Sequence, residues 1–213
     1  MGKELILVLG GARAGKSAFA QGLAQAMGPR VLCVVTAQPG DEEMRQRIQR
    51  HRQRRPPGWR VVEEPLAVAQ ALTPFLDATD VGLIDCLTVW VSNLLLAALP
   101  DGLIQNLKQA EAAEKAVSRA MDDLLARYRE GGASFIVVSN EVGMGLVPEH
   151  PLGRLYRDCL GRANQQVAAQ ADRVYYLVAG LALDWKSLGP LFSPADRGEP
   201  REGERRGHAA HRR

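Results

Sequence analysis

The apolar run Leu5-Ile6-Leu7-Val8-Leu9 passes directly into Gly10-Gly11-Ala12-Arg13-Ala14-Gly15-Lys16-Ser17, which has the spacing Gly, any four residues, Gly, Lys, Ser. This junction constrains the chain more than any other feature. A tight strand-to-helix turn must point successive backbone N–H groups at an anion, and glycine lets the backbone approach it without obstruction by side chains. In that reading Lys16 sits on the β- and γ-phosphates, Ser17 offers its hydroxyl to Mg²⁺, and the positive end of the following helix favours the anion further. Ala18, Phe19, Leu23 and Met27 continue as a helical stretch that ends at Gly28-Pro29. Nucleoside triphosphate handling is the first expectation; the plainer alternative is a glycine-rich turn with no ligand.

Short apolar runs recur at Leu5 to Leu9, Val31 to Val35, Val81 to Ile84, Phe135 to Val138 and Val174 to Val178, none with strict alternation. Such runs fit strands buried on both faces of a parallel sheet. Helical stretches lie between them, near residues 16–27, 41–54, 66–76, 88–98, 103–129 and 153–171. The alternation predicts a doubly wound α/β fold in a single domain, 1–186, with ligands bound beyond the carboxyl ends of a mostly parallel sheet. At those ends stand the phosphate loop, then Thr36-Ala37-Gln38, then Asp85, then Ser139-Asn140-Glu141. All four sets are expected to converge on one site. The tail, 187–213, has almost no apolar residue after Phe192 and is expected to be disordered, since burial cannot offset its ordering entropy.

Composition narrows the partners. The net charge is +3 over 213 residues, and the tail supplies +2 of it, so the body is nearly neutral. Extended nucleic-acid binding normally shows as a basic face, and none is evident. No apolar stretch approaches the roughly 18 residues of a membrane span, and the five-residue run near Lys3 is too short for a secretory core. Cys33, Cys86 and Cys159 are odd in number and show no CxxC spacing. Buried inert thiols in a reduced, cytoplasmic setting account for them.

Asp85 ends an apolar strand, where a phosphate-loop enzyme keeps a carboxylate for its magnesium shell, although strand-end acids also occur for solubility alone. The segment Gly40 to Trp59 is the most unusual in the chain, with acids at the start of its helix and six arginines within eleven positions after them. A capped, solvated helix explains that charge order. His51 resists this reading, because at 100° per residue it falls within about 60° of Met44, Ile48 and Arg55 on one stripe. A neutral imidazole among guanidinium groups is able to attack phosphorus, and those groups would keep its pKa low. Spacing alone nevertheless favours a packed or hydrogen-bonded histidine. His150, His208 and His211 are weaker candidates. Glu63 and Glu64 follow Val61-Val62; a carboxylate there would accept the N1–H and amine protons of guanine, or would simply be a surface acid.

Gly10 to Ser17, RIQRHRQRRPPGW at 47–59, LIDCLTVWVSNLL at 83–95, VVSNEVGMGLVPEHPLGRLYRD at 137–158 and GRANQQVAAQADRVYYLVAG at 161–180 together resemble the bifunctional adenosylcobinamide kinase / adenosylcobinamide-phosphate guanylyltransferase family of cobalamin biosynthesis. The likeness runs from about residue 4 to 186. It implies a RecA-like P-loop NTPase fold and a homotrimer. It also implies two reactions: phosphorylation of the aminopropanol hydroxyl of adenosylcobinamide by a nucleoside triphosphate, GTP or alternatively ATP, and transfer of GMP from GTP through a covalent histidine intermediate. By position His51, ahead of Arg55-Pro56 and Trp59, resembles the guanylylated histidine. Gly10, Gly11, Ala12, Arg13, Ala14, Gly15, Lys16 and Ser17 resemble the nucleotide loop. Thr36, Ala37, Gln38, Arg52, Arg55, Glu63 and Glu64 fall in stretches used for GTP, and Ser17 with Asp85 would hold Mg²⁺. The implied partners are a corrinoid and GTP, with no nucleic acid. The rival readings are a simple small-molecule kinase in which His51 is structural, and a RecA-like ATPase switch that binds nucleic acid or a protein.

Overall fold

The computed structural model describes residues 2–40 and 42–189, except for the side chains of residues 43, 44, 47, 51 and 54. In chain order the elements are β1 (Leu5–Gly10), α1 (Lys16–Met27), β2 (Val31–Val35), α2 (Glu42–Arg54), β3 (Arg60–Glu63), α3 (Val68–Leu72), β4 (Val81–Asp85), α4 (Leu87–Ala98), α5 (Leu107–Glu130), β5 (Ser134–Val138), α6 (Pro151–Gln170), β6 (Arg173–Val178) and β7 (Leu181–Asp184). They form one seven-stranded sheet in the order β3-β2-β4-β5-β1-β6-β7. All pairs are parallel except β6 with β7. This is the α/β architecture that the alternating pattern predicts.

The apolar runs lack alternation because both faces of the inner strands are covered. Leu5, Leu7, Leu32, Val34, Ile84, Phe135 and Val137 point into one core, which they share with residues of α3, α4, α5 and α6. Ile6, Val8, Cys33, Val35, Leu83, Ile136 and Val138 point into the other, against Ala20 and Ala24 of α1. Trp90 of α4 is fully buried and its Nε1–H donates to the carbonyl of Leu66 at 2.8 Å, so the indole satisfies its polar atom while filling the larger core.

Two strands are absent from the apolar-run reading, β3 and β7. Both are four-residue edge strands with mostly exposed side chains, so backbone pairing defines them and burial does not. β7 had a legible cue, because Val178 pairs with Leu181 across Ala179-Gly180, whose φ values of 52° and 83° make the two-residue turn of a hairpin. Helix limits also moved for local reasons. The stretch expected at 66–76 is α for only five residues and becomes a 3-10 turn over Thr73–Ala78, with Pro74 in its first turn. α5 starts four residues later than expected, where the side chain of Asn106 accepts from the N–H of Gln109 at 3.0 Å. His150 caps α6, its Nδ1 accepting from the N–H of Leu152 at 3.3 Å ahead of Pro151.

At the other end Lys186–Leu188 forms a single 3-10 turn. The remainder of the tail, from residue 190, lies outside the described residues, as does Asp41.

Phe135 is the largest fully buried side chain on the inner strands, at 1 % exposure beside Gly82, where even a methyl group would meet its ring at 3.2 Å. Phe135→Ala is expected to destabilise the fold by about 3–5 kcal/mol. Urea denaturation checks this: the midpoint falls while the slope with denaturant stays constant.

Candidate functional site at the carboxyl edge of the sheet

The strand register sets out the site. Glu63 pairs with Val35, Val35 with Asp85, Asp85 with Val138, and Val138 with Val8. This row crosses five strands at their carboxyl ends, and the chain leaves it into the phosphate loop from β1, residues 36–38 from β2 and residues 139–141 from β5. At about 4.8 Å per strand, the Asp85 position lies about 10 Å from both the β1 and the β3 exits.

The phosphate loop is held from behind by the β6–β7 hairpin. Gly10 has φ 148°, and a Cβ there would lie 2.4 Å from the carbonyl oxygen of Leu177; Gly15 has φ 94°, and a Cβ there would be 3.3 Å from Cα of Gly180. Gly180 N–H donates to the carbonyl of Ala14 at 3.1 Å. At Gly11 nothing of the protein lies within 4 Å of a Cβ. The glycines at 10 and 15 are therefore required by the protein's own backbone, and only Gly11 is open to a ligand-side explanation. Arg13 adopts φ 59°, a left-handed turn residue within the loop.

Lys16 is the first residue of α1 and is 8 % exposed; its Nζ donates to the carbonyl of Gly11 at 2.6 Å, which folds the ammonium back over the loop. Ser17 Oγ donates to Asp85 Oδ1 at 3.4 Å across the sheet. The first turn of α1 carries no acidic residue of its own, and its positive end favours an anion.

Thr36 is fully buried. Its hydroxyl donates to the carbonyl of Cys86 at 2.8 Å and accepts from the Cys86 N–H at 3.0 Å, and its own N–H donates to the carbonyl of Asp85 at 3.3 Å. Thr36 thus ties the exit of β2 to the exit of β4. Asn93 of α4 reinforces the tie, its Nδ2 donating to the carbonyls of Thr36 and Pro65 at 2.8 and 3.1 Å. Ala37 is half-buried and Gln38 is exposed.

The two acids after Val62 have different occupations. Glu64 Oε1 accepts from the N–H groups of Leu66 and Ala67 at 2.9 and 2.8 Å ahead of α3. Glu63 Oε1 accepts from Arg52 Nε at 2.9 Å and pairs also with Arg52 Nη2. Arg52, Arg55, Pro56, Pro57, Val61 and Glu63 line a cavity of about 310 Å³. Within it the Nε of Arg55 is buried and has no hydrogen-bond partner among the described residues. His51 lies in α2 four residues before Arg55, and its side chain is outside the described atoms.

Burial pushes the Cys33 thiol up to about 12, with Arg55 opposing that rise and Asp85 adding to it. Cys33 and Cys159 are buried, as expected of inert thiols, but Cys86 is only half-buried beside Asp85. A second cavity, about 250 Å³ between α5 and α6, includes none of the predicted site residues. Among the described residues, no helix is long and apolar enough to cross a membrane. Nor does any cluster of three His, Cys, Asp or Glu side chains offer a self-contained metal site.

An anion-binding loop between a central parallel strand and its helix, with a hydroxyl and a carboxylate meeting beside it, defines a phosphate-loop nucleotide enzyme. The model of the cobinamide kinase / cobinamide phosphate guanyltransferase family matches residues 6–185, and the chain belongs to that family. It is 42 % identical over 180 residues to the bifunctional adenosylcobalamin biosynthesis protein CobP of Pseudomonas aeruginosa, covering 84 % of this chain and 96 % of that protein. It is 40 % identical over 182 residues to the bifunctional adenosylcobalamin biosynthesis protein CobU of Salmonella typhimurium, covering 85 % and 99 %. Among solved structures, the type III secretion ATPase EscN of enteropathogenic E. coli superposes with a TM-score of 0.51 at 14 % identity. That match covers 83 % of this chain and 43 % of the ATPase chain. It is a likeness of fold alone.

The loop geometry separates two glycines by experiment. Gly10→Ala is expected to cost about 1–3 kcal/mol of stability and to weaken nucleotide binding about tenfold or more. Gly11→Ala, with open space around it, should leave the unfolding midpoint unchanged, so that any loss of affinity there reports ligand contact. Thermal unfolding with and without nucleotide measures both.

Proposed function

We propose that this protein phosphorylates the aminopropanol hydroxyl of adenosylcobinamide with a nucleoside triphosphate. It then transfers GMP from GTP to adenosylcobinamide phosphate through a GMP adduct on His51. The observation that carries this reading is the single row from Glu63 through Asp85 to the phosphate loop, which sets the Arg52–Arg55 cavity and the loop on one edge of one sheet. Family membership supplies the two reactions, and the sequence around His51, RHRQRRP, supplies the nucleophile.

In this reading residues 10–17 hold the phosphates through backbone N–H groups, and the Lys16 ammonium exchanges the carbonyl of Gly11 for phosphate oxygens. Ser17 and Asp85 offer the hard oxygen donors that magnesium prefers, and the pair fits an ion that completes its shell with phosphates and water. When bound, that ion neutralises charge on the transferring phosphate. Thr36 positions Asp85 through the backbone of residues 85 and 86, with Ala37 and Gln38 following at the rim. Of the two acids, Glu63 is the reader of guanine, because it lines the cavity while Glu64 is committed to the start of α3. Pro56, Pro57 and Val61 supply apolar walls for the base, and Arg55, whose Nε has no hydrogen-bond partner among the described residues, meets the phosphate.

The neutral imidazole of His51 attacks the α-phosphorus of GTP. The N–P bond forms as the bridging P–O bond breaks and pyrophosphate leaves; the phosphate of the acceptor then attacks the same phosphorus and releases the histidine. Two in-line displacements replace one alignment of three bodies.

The resemblance implies a homotrimer, and the three free cysteines support a reduced, cytoplasmic setting. The exposed edge at Leu181, Leu183 and Trp185 supports a partner copy, and light scattering on the purified protein tests that assembly.

Incubation with GTP labelled at the α-phosphate should leave an acid-labile, base-stable GMP on His51, located by mass spectrometry. His51→Asn, which keeps polarity without a nucleophilic nitrogen, should abolish both the adduct and the GDP derivative of the corrinoid. An adduct accumulating at the wild-type rate in that variant removes His51 from the mechanism. Lys16→Ala should lose both reactions, because the triphosphate charge is then left without its ammonium. Normal rates in either reaction would place its nucleotide elsewhere.

A further inference from the structure

Transfer of a phosphoryl group to an alcohol needs a group that orients the hydroxyl and takes its proton. Most acids on the carboxyl edge are already engaged. Asp85 meets Ser17, Glu63 is held by Arg52, and Glu64 caps the approach to α3. Glu141 is placed differently. Its backbone N–H donates to the carbonyl of Gly10 at 3.3 Å, while Lys16 Nζ donates to the carbonyl of the next residue, Gly11. The carboxylate-bearing residue and the phosphate-binding lysine are therefore attached to consecutive carbonyls of the phosphate loop.

The stem that carries Glu141 is fixed from three sides. Ser139 N–H donates to the carbonyl of Val8 at 2.9 Å, Asn140 N–H to Thr88 Oγ1 at 2.8 Å, and Asn164 Nδ2 to the carbonyl of Asn140 at 3.1 Å. Glu141 is half-buried and its Oε1 accepts from the N–H of Gly143 at 2.6 Å, a bond that occupies one of the two carboxylate oxygens. Beyond it the loop exposes apolar side chains, Met144 at 83 %, Leu146 at 96 % and Val147 at 64 %. A carboxylate residue whose backbone is bonded to the phosphate loop, and which is followed within six residues by exposed apolar side chains, suits an alcohol carried on a large amphipathic body better than it suits water.

We propose that Glu141 is the general base of the phosphoryl transfer and that residues 144–147 seat the alcohol-bearing corrinoid. This rests on the kinase reading given above. The acceptor oxygen attacks the γ-phosphorus and an O–P bond forms. The bond from that phosphorus to the β–γ bridging oxygen breaks, with its electron pair going to the nucleoside diphosphate. The hydroxyl proton passes to Glu141 Oε2 and then to solvent.

The test uses the full chain with adenosylcobinamide and a nucleoside triphosphate. Glu141→Gln keeps an oxygen for the Gly143 N–H but cannot take a proton. Its kinase kcat is expected to fall by about 100-fold or more, with nucleotide affinity and melting temperature close to wild type. Leu146→Asp is expected to raise the KM for adenosylcobinamide several-fold. A Glu141→Gln enzyme with kcat within about threefold of wild type overturns the proposal. So does a loss of turnover that only parallels lost nucleotide affinity, since that is a structural effect on the loop. A wild-type protein that phosphorylates no alcohol fails in its own arm and overturns the kinase reading beneath the proposal.

Discussion

Gly10 brings the backbone of the phosphate loop against Leu177 closer than a side chain would allow, and Gly15 meets Gly180 with a φ of 94° that side chains rarely adopt. The contact comes from the antiparallel hairpin at one edge of the sheet, and the Gly180 N–H to Ala14 carbonyl bond closes it. That bond contributes about 1 kcal/mol net, but its geometric effect is larger. The loop cannot relax backwards, so its inward N–H groups and the start of α1 keep one orientation. β1 supplies the other half of the restraint. It is a central strand, paired with β5 and β6 over most of its length and buried on both faces, so the loop leaves a point held by the core on both faces.

From that fixed point the register distributes the remaining groups. Glu63 and Asp85 stand in the row from Glu63 to Val8, Arg52 pairs with Glu63, and Ser17 meets Asp85. Much of the polar chemistry there serves to hold other polar groups. The Thr36 hydroxyl, the Asn93 amide and the Thr88 hydroxyl each bind backbone atoms at strand exits. Such bonds keep buried donors and acceptors satisfied where strands end, which is where an α/β sheet would otherwise leave unpaired groups beneath its ligands.

The five inner strands were legible in the sequence because burial on both faces writes an unbroken apolar run. β3 and β7 were not, since an exposed edge strand needs only backbone partners. Gly10 to Ser17 and Asp85 were legible from spacing and from position at a strand end. The division of labour between Glu63 and Glu64 was not, because it depends on which one reaches Arg52 across 11 residues and which one meets the start of a helix. Thr36 reads as a ligand contact in the sequence, yet it spends its hydroxyl on Cys86, 50 residues away. Conversely, the hairpin behind the loop is written in Ala179-Gly180, two positive-φ residues that directly follow the apolar run of β6.

A chase experiment tests passage of GMP through the protein most directly. Protein labelled from GTP at the α-phosphate is freed of nucleotide and mixed with adenosylcobinamide phosphate and excess unlabelled GTP. Transfer through the enzyme predicts that the label appears in the corrinoid product within a single turnover, in an amount equal to that lost from the protein. Label that remains on the protein while unlabelled product accumulates would contradict it.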